Sequence, residues 1–473
     1  MTKRSDDKAL SRRHFFKLTG GATLTAAGLG LLPFKRLLGP LAMSEAQAQA
    51  ITTNPAPDLF FGGTDGWIYM DPTHPRKSAA SMGNVTTHPD SYAPNSSAVD
   101  ALGNPVPFTT YIFGFRNITF PGHTDPEKAA MRAAQKNHAQ HNAPMFWLDQ
   151  FDPAAPKDFR MNLTNLGLAQ RPDLFDAHTI HWHGFRNVIT FFDGEPTGSI
   201  AVTTGRVFQY VYRPRDPGTY MFHCHVEDVE HVHMGMTGPV WVRPLFNKTY
   251  PGRKFVYNDL ATEYDREFPM FCSEVWGDSH WADAHIQLPE WSDYDPDFCL
   301  LNGRVYPDTL APNAPFDGQT NSLTPLTTAE GDLLPPVGRP ELQYQPYSAL
   351  VTCNAGDRVL LRFANLGFKE SAMTLVGLKM RVVGKDATPM KGRDNTDTSY
   401  EASTVSFGAG ESIDAIFTAP PKNGPGYDTY VLYDRAYERT NNLGGGGRRT
   451  EIRVYAAGTL KAQSLPNEQS DPV

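Results

Sequence analysis

The chain reads as an all-β protein built from two β-sandwich domains, and three observations carry that reading. Its 473 residues include 40 Gly and 39 Pro, the punctuation of many short strands and turns rather than of long helices. Runs with strand-like alternation recur between those turn residues. A set of landmarks in the first half then returns in the second half, the mark of an internal repeat.

Taken in order, residues 1–50 read as an export signal. Ser11-Arg12-Arg13-His14-Phe15-Phe16-Lys17 has the twin-arginine pattern and precedes a mildly apolar run, 18–34. That run is too short and too diluted with Gly and Thr to be a good membrane span. Ala48-Gln49-Ala50 is a cleavage candidate, with Ala46-Gln47-Ala48 the alternative. The mature chain is therefore expected to be periplasmic, with no membrane span. Residues 51–104, rich in Pro, Ser, Asn and Thr, read as an N-terminal arm over the surface.

The first sandwich is expected over 105–245, with strands at 108–115, 145–149, 158–163, 177–183, 206–212, 220–225 and 239–242. Only 128–141 has a helical pattern. A connector rich in Asp, Glu and Trp follows at 246–296, then a second sandwich at 297–460 and a tail at 461–473. Asn165-Leu166-Gly167 returns as Asn365-Leu366-Gly367, and Thr219-Tyr220 as Thr429-Tyr430. From these anchors His223 and Cys224 fall on Tyr433 and Asp434. Aligning Gly184 with Gly377 sets His178, His181 and His183 against Ser371, Thr374 and Val376. The second sandwich keeps the repeat without the histidines and the cysteine.

Charge narrows the partners. Eight of the 43 basic residues and three of the 51 acidic ones lie in 1–50, so the mature chain carries 35 against 48, net about −13. Nucleic acid is excluded as a partner by the want of basic patches, and cationic reductants or basic proteins fit better. Four cysteines are present. Cys224 belongs with the histidines, and of Cys272, Cys299 and Cys353 the pair 299/353 is the candidate disulfide in an exported chain.

The chemistry concentrates at 220–236. His223-Cys224-His225 is followed by His231 and Met236, and upstream stand His178, His181 and His183. Cys with two His and a weak Met is the ligand set of a blue, electron-transferring copper site. Strand parity divides the residues, because successive side chains point to opposite faces. Cys224, His178, His231 and Met236 form one set on the inner face. His181, His183, His223 and His225 form the other, two His-x-His pairs that project outward. His123, His138, His141, His280 and His285 lack such pairing and read as surface residues rather than ligands. The acidic stretch Glu227, Asp228 and Glu230 lies in the loop between Cys224 and His231. Gly444 to Gly447, with Arg448 and Arg449, reads as a flexible hairpin in the corresponding place of the second sandwich.

His181-Trp182-His183-Gly184 and His223-Cys224-His225 with His231 and Met236 resemble the copper signatures of the multicopper oxidase family. The resemblance implies two cupredoxin-like Greek-key sandwiches, the first copper-binding and the second without ligands. It implies type 1 copper at His178, Cys224, His231 and Met236, and type 2/type 3 copper at the catalytic histidines His181, His183, His223 and His225. Electrons would pass from a small-molecule or metal-ion reductant, or a donor protein, to dioxygen. Two features depart from the family pattern. His231 stands seven residues after Cys224 rather than five, and this chain offers four outer histidines where a trinuclear centre uses eight. The missing half would come from a second copy in a homo-oligomer, at a subunit interface, or the cluster is reduced. A copper nitrite reductase is the alternative enzyme, although that family has Asp where His181 stands and a small residue where His225 stands. A non-catalytic type 1 copper carrier is the alternative of another class, and it leaves the outer histidines without a use.

Overall fold

The strand Leu59–Ile68 (β1) is buried along its whole length and is an interior strand of the first sheet. This corrects the expectation of a surface arm over 51–104. With both faces covered and three glycines in ten residues, β1 has no in-out alternation to reveal it. The computed structural model describes residues 57–71, 90–120, 126–316, 321–436, 439 and 446–470. The export segment 1–50 and His123 lie outside them.

The other strands of the first half are β2 (Asn95–Val99), β3 (Pro105–Pro107), β4 (Thr110–Asn117), β5 (Phe146–Asp149), β6 (Phe159–Gly167), β7 (His181–His183), β8 (Val207–Tyr212), β9 (Gly218–His223) and β10 (Thr237–Arg243). One sheet has the order β4-β1-β6-β8 and the facing one β5-β10-β9-β7, while β2 and β3 form a separate ribbon. Phe61 of β1 meets Phe146 of β5 at 5.6 Å and Phe222 of β9 at 5.8 Å between ring centres. Apolar rings thus fill the space between the sheets, where burial of that area drives folding. The expected helix at 128–141 is shorter, Pro126–Ala133.

The second half repeats the plan. A sheet containing Phe298–Leu301, Arg266–Val275, Arg358–Asn365, Ser412–Thr418 and Met380–Lys385 faces one containing Val351–Asn354, Arg449–Tyr455, Tyr427–Asp434, Ser371–Leu375 and Thr404–Phe407. Arg266–Val275 lies parallel to Arg358–Asn365, as β1 lies parallel to β6. The expected connector 246–296 therefore contains an interior strand, hidden from sequence reasoning for the same reason as β1: it is buried at all ten positions. The repeat is visible in the register. His181 pairs with His223, and Thr374 pairs with Tyr433. The Gly167 amide donates to Asn165 Oδ1 at 2.8 Å and the Gly367 amide to Asn365 Oδ1 at 2.9 Å, the same Asx turn in both halves.

A buried polar seam holds β9, the strand that delivers Cys224, against the second half. Asp414 accepts from Thr219 Oγ1 at 2.6 Å and from the Tyr257 hydroxyl at 2.8 Å, and Ser412 Oγ donates to the Thr219 carbonyl at 2.7 Å. Beside it Glu267 accepts from Arg243 at 2.7 Å and from Arg362 at 2.9 Å. Burial pushes the Glu267 carboxyl up, but the two guanidiniums outweigh burial and hold it down at about 2. Each charged group of the seam thus faces one of opposite sign, as burial of charge requires.

Candidate metal centre

Three chain segments meet beneath the end of the first sandwich. His178 is held by a two-way bridge to Val202, with its amide donating at 3.0 Å and its carbonyl accepting at 2.9 Å. Cys224 continues the β9–β10 ladder, its amide donating to the Met236 carbonyl at 3.0 Å. His231 stands on a short helix, Asp228–Met234. The seven-residue interval after Cys224 is thus a turn of helix rather than an open loop. Its entry turns through Glu227 at φ 46°, a conformation costly for a residue with a Cβ.

His178, Cys224, His231 and Met236 are all fully buried. The first three bring one ligand atom each to within 4.8 Å of one another. Cys224 Sγ lies 3.2 Å from His231 Nδ1 and accepts from the Thr179 amide at 3.5 Å. Neither ring nitrogen of His178 meets an ordinary hydrogen-bonding group. Burial raises the Cys224 thiol pKa, yet the charge of His231 and bonds to His178 and His231 more than reverse this, and the thiol falls well below its usual range. A deprotonated thiolate between two imidazoles, with hydrogen-bond capacity unspent in a dry core, is the donor set that a soft metal ion completes. His231 Nε2 lies on the side away from Cys224, 3.5 Å from the Asp176 carboxylate. Gly63 of β1 makes room for the set, since a Cβ there would come within 2.7 Å of His178 Cδ2.

On the other face, His181 and His183 of β7 and His223 of β9 form a second group within 4.8 Å. His225 joins it, its ring 4.9 Å from that of His181 and 5.5 Å from that of His223. Backbone carbonyls set two of the tautomers: His181 Nδ1 donates to Asp193 O at 2.9 Å, and His223 Nδ1 donates to Cys224 O at 2.8 Å. Each bond leaves Nε2 without a proton, the usual way a protein aims a histidine at a metal. His183 Nδ1 lies 3.3 Å from His223 Nε2. Burial, seconded by neighbouring imidazoles, pushes His223 down to about 3; burial likewise lowers His181 and His183. These rings are neutral at pH 7, the form that ligates.

The two sets assigned by parity are therefore two clusters back to back, met at the single peptide run 223–225. Sequence reasoning missed Asp176, Asp193 and Thr179, which carry no spacing signal. It also misplaced His280, which is only 2% exposed because the helix Gly277–Ala284 packs it under β4. His285 is bonded to Asp90 at 3.0 Å. Cys272, Cys299 and Cys353 are buried and not disulfide-bonded, so the expected 299/353 bridge is not formed: those two strands lie in opposite sheets of the second sandwich. Glu230, expected on an open acidic loop, is only partly exposed and turns toward Asp283. Arg448, expected on a flexible hairpin, is fully buried.

Residues 165–246 match the family Multicopper oxidase. Ceruloplasmin of Mus musculus is 34% identical over 82 residues, which cover 16% of this chain and 7% of that protein. Among solved structures, a blue copper oxidase from Nitrosomonas europaea is 18% identical, with a TM-score of 0.45 and coverage of 80% of this chain and 98% of the other. A multicopper oxidase, mgLAC, is 20% identical, with a TM-score of 0.47 and coverage of 87% and 90%. A copper nitrite reductase from Nitrosomonas europaea is 15% identical, with a TM-score of 0.44 and coverage of 80% and 95%. Among the described residues no helix is long and apolar enough to cross a membrane. All eight candidate ligands fall inside 165–246, the segment that matches the Multicopper oxidase family.

Proposed function

We propose that the chain is a copper-dependent oxidoreductase that accepts electrons at the inner cluster and delivers them to dioxygen at the outer one. The observation that carries this reading is the covalent link between the clusters. Cys224 belongs to the inner set, and the residues on either side of it, His223 and His225, belong to the outer set. His178, Cys224 and His231, with Met236 beneath them, would hold a type 1 copper, and His181, His183, His223 and His225 would hold copper on the outer face. Copper bound to such ligands supplies one-electron oxidation and reduction.

The remaining parts belong to the chain itself. The Cys224 thiolate and the adjoining peptides offer an electron a path of a few covalent bonds between the faces. The Cys224 carbonyl that accepts from His223 adds a second, hydrogen-bonded path. Asp193 holds His181 in one tautomer. The buried aromatic core keeps water from the inner set, while the Nε2 edge of His231 beside Asp176 is the nearest approach for a reductant. Four outer imidazoles are half of a trinuclear ligand set, and His181, His183 and His225 are only partly buried, so a second copy of the chain is the natural source of the rest. The twin-arginine segment would place the protein in the periplasm.

Copper content, visible absorption and oxygen uptake measured on one preparation test the reading. A thiolate-to-copper band is expected, with more than one copper per chain. Cys224→Ser should abolish the band. His181→Ala should keep the band while turnover falls at least about a hundredfold, the scale of losing a group that acts directly in the reaction. A band that survives Cys224→Ser removes the type 1 assignment. Nitrite consumption without oxygen uptake would make the enzyme a nitrite reductase instead.

A further inference from the structure

The helix Gly277–Ala284 ends in a way that its sequence does not favour. The Gln287 amide donates to the Ala282 carbonyl at 2.8 Å and the Ile286 amide to the Asp283 carbonyl at 3.3 Å, so Ile286 occupies the left-handed position that closes a helix. Its φ is 58°. Glycine, or sometimes asparagine, stands at such a position, because a β-branched side chain crowds the backbone there. Ile286 is moreover 64% exposed, so burial offsets little of the strain. A strained backbone that holds an apolar side chain in water points to a use outside the fold.

Ile286 is one of four large apolar residues that stand out around the inner cluster. Phe175 is 81% exposed, Leu288 91% and Val229 50%. Direct bonds tie together the three segments that carry them, 170–176, 227–231 and 283–288. Phe175 precedes Asp176, and Asp176, Glu227 and His231 bring one ligand atom each to within 4.8 Å of one another. Val229 stands on the ligand helix, two residues before His231. Asp283, three residues before Ile286, is hydrogen-bonded to Glu230 of that helix and accepts from Arg171 at 3.2 Å. Gln170 Nε2 donates to the Ala284 carbonyl at 3.2 Å. The charge displayed among these residues has one sign. Asp173, Glu227 and Asp228 are exposed, while Arg171, the one Lys or Arg of the three segments, is buried and paired with Asp173 and Asp283.

Single apolar side chains are normal on a surface, but a group of them rimmed by polar residues marks an interaction site. A small cation would be drawn by the carboxylates alone and has no use for four exposed hydrophobes. We propose that Phe175, Val229, Ile286 and Leu288 form the docking face for a basic redox protein that donates electrons to the inner cluster. This rests on the reading of that cluster as an electron-accepting copper site. The apolar residues supply the contact at the centre, and the carboxylates select a partner with a lysine-rich rim, since complementary charge sets specificity and the rate of encounter. On transfer the partner's redox centre is oxidised by one electron and the inner cluster is reduced by one, with no bond made or broken.

The test uses the whole copper-loaded chain, with a basic c-type cytochrome as the probe. Calorimetric titration with the oxidised cytochrome reads docking without electron transfer. Bleaching of the charge-transfer band by the reduced cytochrome reads the function on which the proposal rests. The parent should bind, and less tightly as salt screens the opposed charges. Phe175→Ser with Leu288→Ser should weaken binding by about tenfold or more, the scale of truncating an interface anchor, while turnover with a neutral phenol is unchanged. Ile286→Gly should weaken binding and at the same time raise the denaturant midpoint, since glycine relieves the left-handed turn. A residue that served only the fold would not set docking against stability in this way. Docking without bleaching would support the surface and fail the functional reading. Failure of the parent to bind, equal binding of an acidic redox protein, or an unchanged affinity in the double variant overturns the proposal. So does a double variant that loses self-association while its affinity for the cytochrome is unaltered, because the face then belongs to a second copy of the chain.

Discussion

The two sandwiches bring the same positions together and fill them with opposite chemistry. In the first, His181 faces His223 across the ladder and Cys224 follows; in the second, Thr374 faces Tyr433 and Asp434 follows. Where His178 meets the thiol, Ser371 donates to Asp434 Oδ2 at 2.6 Å. Where the His231 helix closes over Cys224, Arg448 closes over Asp434 at 3.4 Å and over Glu274 at 3.0 Å, with all three side chains fully buried. Space is shared out differently as well. Gly63 leaves room for the ring of His178, whereas its counterpart Cys272 sits against the smaller Ser371 at 3.7 Å. One place in the fold thus collects anionic or electron-rich groups in a dry interior and needs a cation there. A metal ion serves in the first sandwich, and a guanidinium built into the chain serves in the second.

The sharpest way to break that comparison is to remove the built-in cation. Arg448→Met leaves the Glu274 and Asp434 carboxylates buried without it, and should cost about 3–5 kcal/mol, the range for breaking a buried pair from one side. The denaturant midpoint should fall accordingly. Arg448→Met with Glu274→Gln and Asp434→Asn should recover most of the loss, since no uncompensated charge then remains. A midpoint unchanged by Arg448→Met would mean that the second site needs no cation, and the parallel with the first would lapse.

A smaller effect tests the allocation of space. Gly63→Ala puts a methyl group 2.7 Å from the His178 ring, closer than carbon atoms approach without movement. Overpacking of this kind costs about 1–3 kcal/mol, and the ring that must yield is a proposed ligand. The charge-transfer band should shift or weaken along with the loss of stability. Cys272→Ser, at the matching position, should leave that band unchanged. Loss of stability with an unaltered band would show that His178 is free to retreat and does not hold the metal.

How far sequence reasoning reached follows from what kind of signal each part carries. The division of these residues into an inner and an outer group was legible because strand parity is a property of backbone geometry, and seven of the eight residues lie in or beside short strands of regular pleat. Arg448 was not legible. Its neighbourhood is glycine-rich, which looks like a mobile hairpin, and only the tertiary placement of Glu274 and Asp434 turns it into a buried cation. The strands Leu59–Ile68 and Arg266–Val275 were missed because burial on both faces erases alternation. His280 was misjudged for a related reason: a lone histidine in a polar segment gives no sign that a helix will press it under β4. Periodicity reveals what faces water and what does not; it is silent where nothing does.

The smallest expected effect concerns the acidic residues over the ligand helix, which separate into two kinds. Glu227 and Asp228 are exposed, so they act only through solvent. Glu230 is partly covered and turned toward the buried Asp283. Burial raises both: Asp283 reaches about 8, with Glu230 adding to the rise against Arg171, and Glu230 moves up with Glu227 and Asp176 adding to the rise against His231. Two carboxyls in this position share a proton at neutral pH, so the pair carries one charge fewer than its formula suggests. Neutralising Glu227 and Asp228 to Gln and Asn should therefore lower the efficiency toward a cationic reductant by a few fold and leave a neutral phenol unaffected. The difference should shrink with added salt, as the Debye length falls from about 10 Å at 0.1 M to about 3 Å at 1 M. Glu230→Gln should change the efficiency less than either exposed residue does, since it removes little charge. Steady-state rates for both substrate types at the two salt concentrations decide the matter. Equal losses for cationic and neutral substrates would assign the exposed carboxylates to solubility alone, and a Glu230→Gln loss as large as theirs would mean that its carboxyl is ionised and that the shared proton does not exist.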